Sequence, residues 1–391
     1  MPFWRVLITL ALLTCTGATL ASVLRPASPG PNAARVNDAR PHPPTAPELP
    51  RDAGVLGYPR LLPVSANTDT TPLLVSNSPE TPQTPGLLYR DRIQGVARVT
   101  AYHVNGLGQV ARLLIVAEQT GDRAAGQGMA GQGTTITLLR RGSAVTAGPD
   151  PVIGQQTLLR YFASSAGDGA PLPLKTVPLA SGSRRTLYDS GPLRPGQVVS
   201  VLLDLSTDEA VTISTYMLRA GQAPGPELPT LAPDGFHQRG TFIGANRDWN
   251  VVLPGSADLA TGPLRLMFSD ASDPPLTGTD ALTGRPQQLR GNFGVLYRVS
   301  LQGAAGFLMA ASARGGPYRG SLILRETAPG GQVGRTPLLI GRGRALLDGA
   351  LPEAVWQLRS DAAHFDFIPA NGSNLPLALV FYPGGTRRPV R

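Results

Sequence analysis

The chain has 391 residues, of which 41% are hydrophobic, and a formal net charge of +9 at pH 7. This length exceeds one ordinary domain of about 100–200 residues, so it predicts two domains with additional segments. The 46 glycines and 39 prolines exclude a fold of long helices, because both residues interrupt helices, and favour short strands joined by tight turns.

The positive charge is carried almost entirely by arginine, since Lys175 is the only lysine. The arginines are scattered, with pairs at 140–141, 184–185 and 387–388. Nucleic-acid-binding proteins instead gather their basic residues into a patch or onto a helix face. We therefore expect no nucleic-acid partner, and we expect the charge to suit an anionic envelope polymer or another envelope protein.

Residues 1–21 have the layout of a secretory signal peptide. Arg5 precedes an apolar run that ends near Cys15, and small residues then lead to a cleavage site before Ser22. The run is too short for a spanning helix, which needs about 20 apolar residues. We predict an exported protein, periplasmic, on the cell surface or extracellular. Membrane attachment would require that this segment stays uncleaved or is lipidated.

Residues 22–72 are predicted to be a disordered, Pro-rich linker. The stretch "RPASPGPNAARVNDARPHPPTAPELP" has too few large apolar residues to offset the entropy of ordering it. His42 lies between two prolines and is interpreted as a solvated linker histidine. Cys15 is the only cysteine, so removal of the signal peptide leaves no thiol for a disulfide, for catalysis or for metal binding.

Residues 73–222 are predicted to form a β-sandwich domain. Val96–Val104 and Val110–Glu118 are rich in β-forming residues, and Asn105 and Gly106 between them are a hairpin signal. Further strands are predicted in the same domain. They are Thr134–Arg140, Gln156–Phe162, and a second hairpin made of Val198–Leu205, a polar turn at Ser206–Glu209, and Ala210–Leu218.

Residues 223–235 are rich in Pro and Gly and are predicted to link this domain to a second β domain at 236–384. Residues 385–391 are a polar tail, and 345–358 are predicted to hold a short helix. The fold class is therefore all-β, with two β-sandwich-like domains that follow a signal peptide and a Pro-rich linker. The strands predicted in the second domain are Gly240–Ile243, Leu264–Phe268, Phe293–Leu301, Phe307–Ala311, Leu322–Arg325 and Leu377–Tyr382.

The sequence contains no G-x-S-x-G elbow, P-loop, H-E-x-x-H or EF-hand motif. These absences count against the common hydrolase and kinase plans, so we assign no catalytic residue and favour a protein that is not an enzyme. A glycosidase would need two carboxylates across a cleft, and Asp248 with Asp366 or Asp361 is a pair to consider. Nothing in the sequence brings these residues together.

Three histidines lie outside the linker: His103, His237 and His364. Three imidazoles are enough for a copper or zinc centre, so a metal site assembled from these distant residues is one hypothesis. The alternative is three separate histidines, each hydrogen-bonded at a strand end. A second metal hypothesis is calcium bound by Asp270, Asp273 and Asp280, although such residues are also common in turns.

The stretch "FHQRGTFIGANRDW" (236–249) combines His237 with two arginines, an aspartate and a tryptophan. We interpret it as a strand, a turn and a strand that open the second domain. In this geometry Arg239 and Asp248 would meet as a bidentate pair across a hairpin. A glycan-binding module would instead need exposed aromatic rings, which Trp249, Tyr297 and Tyr318 could supply.

Six short strings together carry a resemblance: "NSPE" (77–80), "YHVN" (102–105), "HQRGTF" (237–242), "GNFGVLY" (291–297), "ARGGPYRG" (313–320) and "SNLP" (373–376). They resemble a family of secreted bacterial β-rich proteins that is known only as a domain of unknown function. The likeness spans roughly residues 73–383. It implies an exported β-rich protein with no established reaction, and a core composed of both halves of the chain.

These observations predict a secreted or cell-envelope protein that binds a ligand or has a structural role without catalysing a reaction. One alternative is a redox enzyme of the envelope with copper or zinc on the three histidines. Another is a glycan-binding module. The predicted binding residues are His237, Arg239, Asp248, Trp249, Arg314 and Tyr318.

Overall fold

The computed structural model describes residues 52–119, 133–164, 175–254, 262–327, 333–343 and 355–384. These residues form twenty strands, one α-helix and two short 3-10 helices, at Asp52–Gly57 and Arg290–Asn292. The α-helix is α1 (Val152–Ala163). The strands are β1 (Ser65–Thr68), β2 (Pro72–Ser76), β3 (Gly86–Val104), β4 (Ala111–Glu118), β5 (Thr134–Thr146), β6 (Lys175–Leu179), β7 (Arg184–Asp189), β8 (Val198–Arg219), β9 (Arg239–Ile243), β10 (Asn246–Val252), β11 (Leu264–Phe268), β12 (Leu276–Asp280), β13 (Arg285–Leu289), β14 (Leu296–Gln302), β15 (Phe307–Ala313), β16 (Tyr318–Thr327), β17 (Val333–Gly343), β18 (Val355–Gln357), β19 (Ala363–Phe367) and β20 (Leu377–Pro383).

The strands form three sheets, so the fold is all-β and sandwich-like, as predicted. The six-stranded sheet has the order β1-β10-β14-β19-β16-β17, and the four-stranded sheet has the order β11-β20-β15-β18. The ten-stranded sheet has the order β13-β12-β9-β2-β3-β8-β4-β7, with β5 and β6 joined to it through β8. None of the described helices has the length and hydropathy needed to cross a bilayer.

The longest strand, β8, organises the ten-stranded sheet. It pairs with β3 along nearly its whole length, while its other edge pairs first with β5 and then with β4. The hairpin predicted about Ser206–Glu209 is therefore wrong, because the chain continues straight through those polar residues. They lie where β8 changes partner from β5 to β4, and a register shift in β3 between Ile93 and Gly95 occurs opposite them.

The hairpin predicted at Asn105-Gly106 is also wrong. The two strands on either side of it, β3 and β4, do not pair with each other but flank β8 on opposite edges. Asn105 instead fixes a wider connection, since its side-chain amide donates to the carbonyl oxygens of Gln109 and Leu193, both at 2.8 Å.

The segment 156–162 was predicted to be a strand and is the second half of α1 instead. Its buried residues recur with helical spacing, and they pack against the ten-stranded sheet and the sandwich core. Close packing explains a glycine at the contact: a Cβ on Gly142 would lie 2.1 Å from the backbone oxygen of Thr157.

The six-stranded and four-stranded sheets pack face to face. In β10 and β14, buried side chains alternate with more exposed ones, as expected for a sheet with one face in the core. Aromatic rings fill the space between the sheets: Phe268 stacks on Trp249 with ring centroids 5.2 Å apart and meets Tyr297 edge-on at 5.1 Å. All six strands predicted in the second domain occur here or in β9, within a few residues of the predicted bounds.

Strands from both sides of the predicted linker 223–235 share the ten-stranded sheet. β9 pairs with β2 over Pro72–Ser76, and β12 and β13 continue the sheet beyond β9. The largest hydrophobic cluster likewise joins Leu73 and Leu202 to the sandwich core. The segment 223–235 thus connects two strands of one sheet, and Leu231 within it is buried.

The N-terminal boundary lies earlier than predicted. Residues 22–72 were expected to be disordered throughout, but β1 pairs with β10 over Ser65–Thr68. The backbone of Arg60 also forms an isolated β-bridge with that of Arg265. The predicted signal peptide, the linker up to residue 51, the polar tail and most of the helix predicted at 345–358 lie outside the described residues. Val355–Gln357, at the end of that predicted helix, is the strand β18.

Candidate functional site

A cleft of about 730 Å³ lies between the six-stranded and ten-stranded sheets. One wall is the outer face of the six-stranded sheet, which points away from the sandwich core. The other wall is contributed by β3, β5 and β8 of the ten-stranded sheet. The lining includes four arginines, Arg98, Arg140, Arg298 and Arg325, and three aspartates, Asp204, Asp248 and Asp366.

The outer face is polar because polar and core residues alternate on its three central strands. In β10, Asp248 and Asn250 flank the buried Trp249, and in β14, Arg298 and Ser300 flank the buried Val299. Strand pairing aligns these side chains in rows, since residues directly opposite each other lie on the same face. One row contains Asp248, Arg298 and Asp366, and the next contains Asn250, Ser300, His364 and Arg325.

Salt bridges run along this outer face. Arg298 Nη1 lies 3.2 Å from Asp248 Oδ1, and about half of each side chain is exposed. Arg325 binds Asp366 through two hydrogen bonds, of 3.0 and 2.5 Å, in the bidentate geometry that suits a guanidinium. Within each pair, the arginine and the aspartate neutralise each other's charge. Both pairs present polar groups to the cleft.

The opposite wall centres on a row of three residues, Arg98 on β3, Asp204 on β8 and Arg140 on β5. We call it the arginine row. Arg98 Nε and Nη2 donate to the two oxygens of Asp204, at 2.7 and 3.0 Å. Tyr161 of α1 also donates to Asp204 Oδ2, at 2.6 Å. The carboxylate of Asp204 is thus fully engaged without Arg140.

Arg98 joins the two walls of the cleft. Its Nη1 donates to the backbone oxygens of Ala245 and Gly294, and its Nη2 donates to the side-chain oxygen of Asn246 at 3.1 Å. Burial raises the pKa of Asp204, but the charge and hydrogen bonds of Arg98 outweigh it and leave that pKa below its ordinary value. The Arg98–Asp204 ion pair therefore links the ten-stranded sheet to the six-stranded sheet.

Arg140 differs from the other arginines of the cleft. It is half-buried, its guanidinium lies 5.7 Å from the ring centroid of Tyr161, and it forms no salt bridge with a described carboxylate. Together the lining residues include four arginines and three aspartates, so the cleft has one more arginine than aspartate. Arg140 is the source of that excess.

The predicted pairing of Arg239 with Asp248 is wrong, because β9 and β10 belong to different sheets. Arg239 is buried and its Nε lies 3.0 Å from Asp280 Oδ2. Its Nη1 donates to the backbone oxygens of Leu88 and Leu231. Asp248 is in the cleft with Arg298. The turn at Gly244 and Ala245 thus carries the chain from one sheet to another rather than closing a hairpin.

The aromatic residues predicted to bind a glycan lie in the core. Trp249 is 6% exposed, and Tyr297 and Tyr318 are fully buried, so none of them offers an exposed ring. Burial raises the pKa of Tyr318, whose hydroxyl accepts a hydrogen bond from the backbone of Ala370 at 3.3 Å. Arg314, also predicted to bind ligand, is 8% exposed, and its Nη1 lies 3.4 Å from Ser312 Oγ.

The three histidines have different partners and do not form a metal centre. His103 is fully buried between Ser76 Oγ and the backbone oxygen of Pro79, and His364 is exposed with Nδ1 3.0 Å from Ser300 Oγ. His237 lies between two carboxylates. Within the described ranges, no three His, Cys, Asp or Glu side chains have an arrangement that could hold a metal ion.

The aspartates considered for calcium are separated in the same way. Within the described residues they do not form an arrangement that could hold a metal ion, and each forms a salt bridge with a different arginine. These salt bridges are Asp270–Arg60, Asp273–Arg247 and Asp280–Arg239.

His237 belongs to a cluster that joins two loops near β2. Its Nδ1 lies 2.8 Å from Asp234 Oδ2 and its Nε2 lies 2.8 Å from Glu80 Oε2. Burial acts to raise the pKa of Asp234, but hydrogen bonds from the Glu80 backbone and from His237 outweigh it and lower that pKa. The strings "NSPE", "YHVN" and "HQRGTF" therefore meet in space, in a junction between loops and not in the cleft.

Two other strings also meet each other. The backbone of Arg314 donates to the Pro376 oxygen at 2.9 Å, and that of Asn374 donates to the Pro317 oxygen at 3.0 Å. A Cβ on Gly315 would lie 1.9 Å from the Leu375 oxygen, so this approach requires glycine. The strings "ARGGPYRG" and "SNLP" are thus explained by packing.

Sequence reasoning selected four residues of the lining, Asp248, Trp249, His364 and Asp366, as possible site residues and missed the rest of the cleft. The signal was the alternation of polar with apolar residues in "NRDWNVV" (246–252), "LYRVSLQ" (296–302) and "AHFDF" (363–367). This alternation indicates strands with one polar face. Only the strand order shows that the polar faces are adjacent. The cleft residues that were missed include Arg98, Arg140, Asp204, Asn250, Arg298, Ser300 and Arg325.

No protein-family model and no curated protein matches the chain. Among solved structures, it is similar to the crystal structure of PBSX exported protein XepA, at 10% identity over 76% of this chain and 86% of that chain, with a TM-score of 0.15. It is also similar to the N-terminal CBM22-1-CBM22-2 tandem domain of Xyn10C from Paenibacillus barcinonensis, at 12% identity over 82% and 91%, with a TM-score of 0.11. Scores this low carry no argument about fold or function.

Proposed function

We propose that this protein is exported and binds an anionic polymer of the cell envelope in the cleft, without catalysing a reaction. The observation that carries the proposal is Arg140, a half-buried cation of the lining that forms no salt bridge with a described carboxylate. A cation held in a concave, partly desolvated site attracts an anion more strongly than one in open water. The excess of one positive charge in the lining selects against cationic ligands.

The lining also supports a choice among anionic polymers. Beside the arginines, it presents side chains that exchange hydrogen bonds with hydroxyl groups, such as Asn250, Ser300 and His364. A guanidinium binds a carboxylate through two parallel hydrogen bonds. A polysaccharide that carries carboxylates supplies both groups, so we propose an acidic polysaccharide as the ligand.

The carboxylates of the cleft support binding more than catalysis. Asp204 is engaged by Arg98 and Tyr161, and Asp366 is engaged by Arg325 in bidentate geometry. Hydrolysis of a glycoside needs two carboxyl groups that share work on one bond, one as a proton donor. Carboxylates held by arginine are arranged to position neighbouring guanidinium groups instead.

Export is part of the proposal and rests on residues 1–21. The single positive charge, the short apolar run and the small residues before Ser22 are typical of a signal peptide. Fractionation of producing cells, combined with the intact mass of the purified protein, tests it. Recovery of a full-length chain in the cytosol alone would refute export, and a mass beginning at Ser22 would support it.

Binding is tested by titrating the purified protein with polygalacturonate and, separately, with neutral dextran, in a calorimeter. We expect polygalacturonate to bind and dextran not to bind. The affinity should fall with added salt, because exposed charges are screened. The variant Arg140→Gln should weaken binding about tenfold or more, since a hydrogen bond to a charged group is worth about 1.5–3 kcal/mol.

Arg285→Gln is the matched control, because Arg285 is an exposed arginine of β13 and does not line the cleft. It removes the same charge, so it should leave the affinity nearly unchanged. Equal losses in the two variants would mean that net charge alone drives binding. A wild-type protein that binds neither polymer would refute the proposed function.

A further inference from the structure

A second basic concavity lies beside the cleft. Its volume is about 390 Å³, and it lies between β5, the end of α1 and the end of β7. We call it the basic pocket. It is lined by Arg141, Ser143, Ala144, Val145, Arg160, Tyr188, Asp189 and Ser190.

The charges of the basic pocket favour an anion. Arg141 and Arg160 are exposed, and neither forms a salt bridge with a described carboxylate. Arg160 Nη1 donates to the backbone oxygen of Ser143, which orients its guanidinium over the pocket. The one acid of the lining, Asp189, is held by Arg112, whose Nε donates to Oδ1 at 3.0 Å. Two cations therefore remain unbalanced.

The basic pocket and the cleft are neighbours through two pairs of consecutive residues. On β5, Arg140 lines the cleft and Arg141 lines the basic pocket. Successive side chains of a strand point to opposite sides, and the register shift between Leu138 and Arg140 marks a bulge of the kind that re-aims side chains. On α1, Arg160 lines the pocket while Tyr161 contacts Arg140.

We propose that the cleft and the basic pocket bind one linear chain of carboxylated polysaccharide at two points, with Arg140 and Arg141 at the crossing from one to the other. The inference rests on the proposed function, because it takes the ligand of the cleft as its starting point. Once one point is bound, the second binds at a high effective concentration. Affinity should therefore increase steeply once the ligand is long enough to reach both concavities.

The experiment compares a short ligand, trigalacturonate, with long polygalacturonate. The variant is the double substitution Arg141→Gln and Arg160→Gln, and its control is the double substitution Arg285→Gln and Arg290→Gln. The control removes two exposed arginines that line neither concavity, so the change in net charge is matched. Circular dichroism and thermal unfolding verify that all proteins remain folded.

We expect the basic-pocket variant to bind the long polymer at least about tenfold more weakly, from the loss of the second point. Its affinity for trigalacturonate, and both affinities of the control, should stay within about twofold of wild type. An unchanged affinity of the basic-pocket variant for the long polymer would overturn the inference. Equal losses of affinity for both ligands would also overturn it. They would show that the two arginines act through long-range electrostatic attraction and not as a second binding point.

Failure of the proposed function gives a different result. If wild-type protein does not bind trigalacturonate or the polymer, or if Arg140→Gln leaves trigalacturonate binding intact, the cleft itself is not the site. Binding at two points is then refuted as well. If Arg140→Gln weakens both ligands and the basic-pocket variant weakens neither, the cleft is retained and the second point is rejected.

Discussion

Two arginines of this protein each form a salt bridge with an aspartate of a neighbouring strand, but one salt bridge is buried and the other is exposed. Arg239 pairs with Asp280 across β9 and β12, with each side chain 2% exposed. Arg298 pairs with Asp248 across β14 and β10, with each side chain about half exposed. The buried pair also binds two backbone oxygens and connects the start of β9 to its neighbours. The exposed pair is surrounded by the open volume of the cleft.

This difference separates structural arginines from those available to a ligand. A buried guanidinium has exchanged all its water for protein partners, so it cannot release them to a ligand without a large cost in stability. An exposed pair keeps part of its hydration, and a ligand can replace that water. The arginine row contains both kinds, with Arg98 buried and Arg140 at the edge of the cleft.

The largest effect predicted by this comparison is on the buried pair. Asp280→Ala leaves Arg239 without its carboxylate in the protein interior, and we expect the free energy of unfolding to fall by about 3–5 kcal/mol. Asp248→Ala, the matched change in the exposed pair, should cost about 0–1 kcal/mol. Urea unfolding followed by fluorescence measures both. Similar losses in the two variants would contradict the distinction.

A second large effect concerns the pH dependence of stability that arises from the buried His103. Burial lowers the pKa of His103 from its ordinary 6.5 to about 4, although hydrogen bonds of its ring to neighbouring backbone groups act in the other direction. Between these values the unfolded chain holds a proton that the folded chain lacks. Stability from this group is thus complete above pH 6.5, declines as the pH falls, and levels off below about 4.

The loss integrates to roughly 3 kcal/mol over that interval. The variant His103→Gln removes the titrating group while retaining a side chain that can hydrogen bond, so its stability should vary less between pH 7 and pH 4 by about that amount. Urea unfolding at several pH values measures the difference. Parallel curves for wild type and variant would show that His103 does not titrate as the burial requires.

The smallest predicted effect is in the cleft. Asp248→Asn removes one negative charge beside Arg298, and we expect stability to change by less than about 1 kcal/mol. Affinity for polygalacturonate should rise by up to about fivefold, since a charge a few ångströms away in water contributes about 1 kcal/mol. Calorimetric titration checks it. Weaker binding would instead mean that Asp248 accepts hydrogen bonds from ligand hydroxyls.

Local patterns in the sequence predicted the strands of the sandwich but not how strands connect. Leu264–Phe268 and Leu377–Tyr382 were found because they are short, mostly apolar runs bounded by turn residues. Ser206–Glu209 resembles a turn in composition, yet it lies within β8, where its exposure comes from a change of partner strand. Such a change depends on residues far away in the chain, so composition does not reveal it.

The candidate site shows the same limit. Asp248 and Arg239 were both recognised as chemically informative, but their partners depend on which sheet each strand joins. The helix α1 was mistaken for a strand because "QTLLRYF" was considered without Val152–Gln155, which completes the helical spacing. Export, the ligand and the role of the basic residues stay predictions. Of the resemblance to secreted β-rich proteins, the structure confirms the β-rich part.

The position of β2 has a consequence for how the chain must be made. β2 lies between β3 and β9, so one of its edges stays unpaired until residues 239–243, about 165 positions later in the chain, have been synthesised. A chain that ended after β8 would leave that edge of β2 unpaired, and it would lack the Ala245 and Gly294 oxygens that bind Arg98. An unpaired edge invites association with other chains. Folding is therefore completed late, after synthesis has passed both halves, and premature termination would yield aggregates instead of a working fragment.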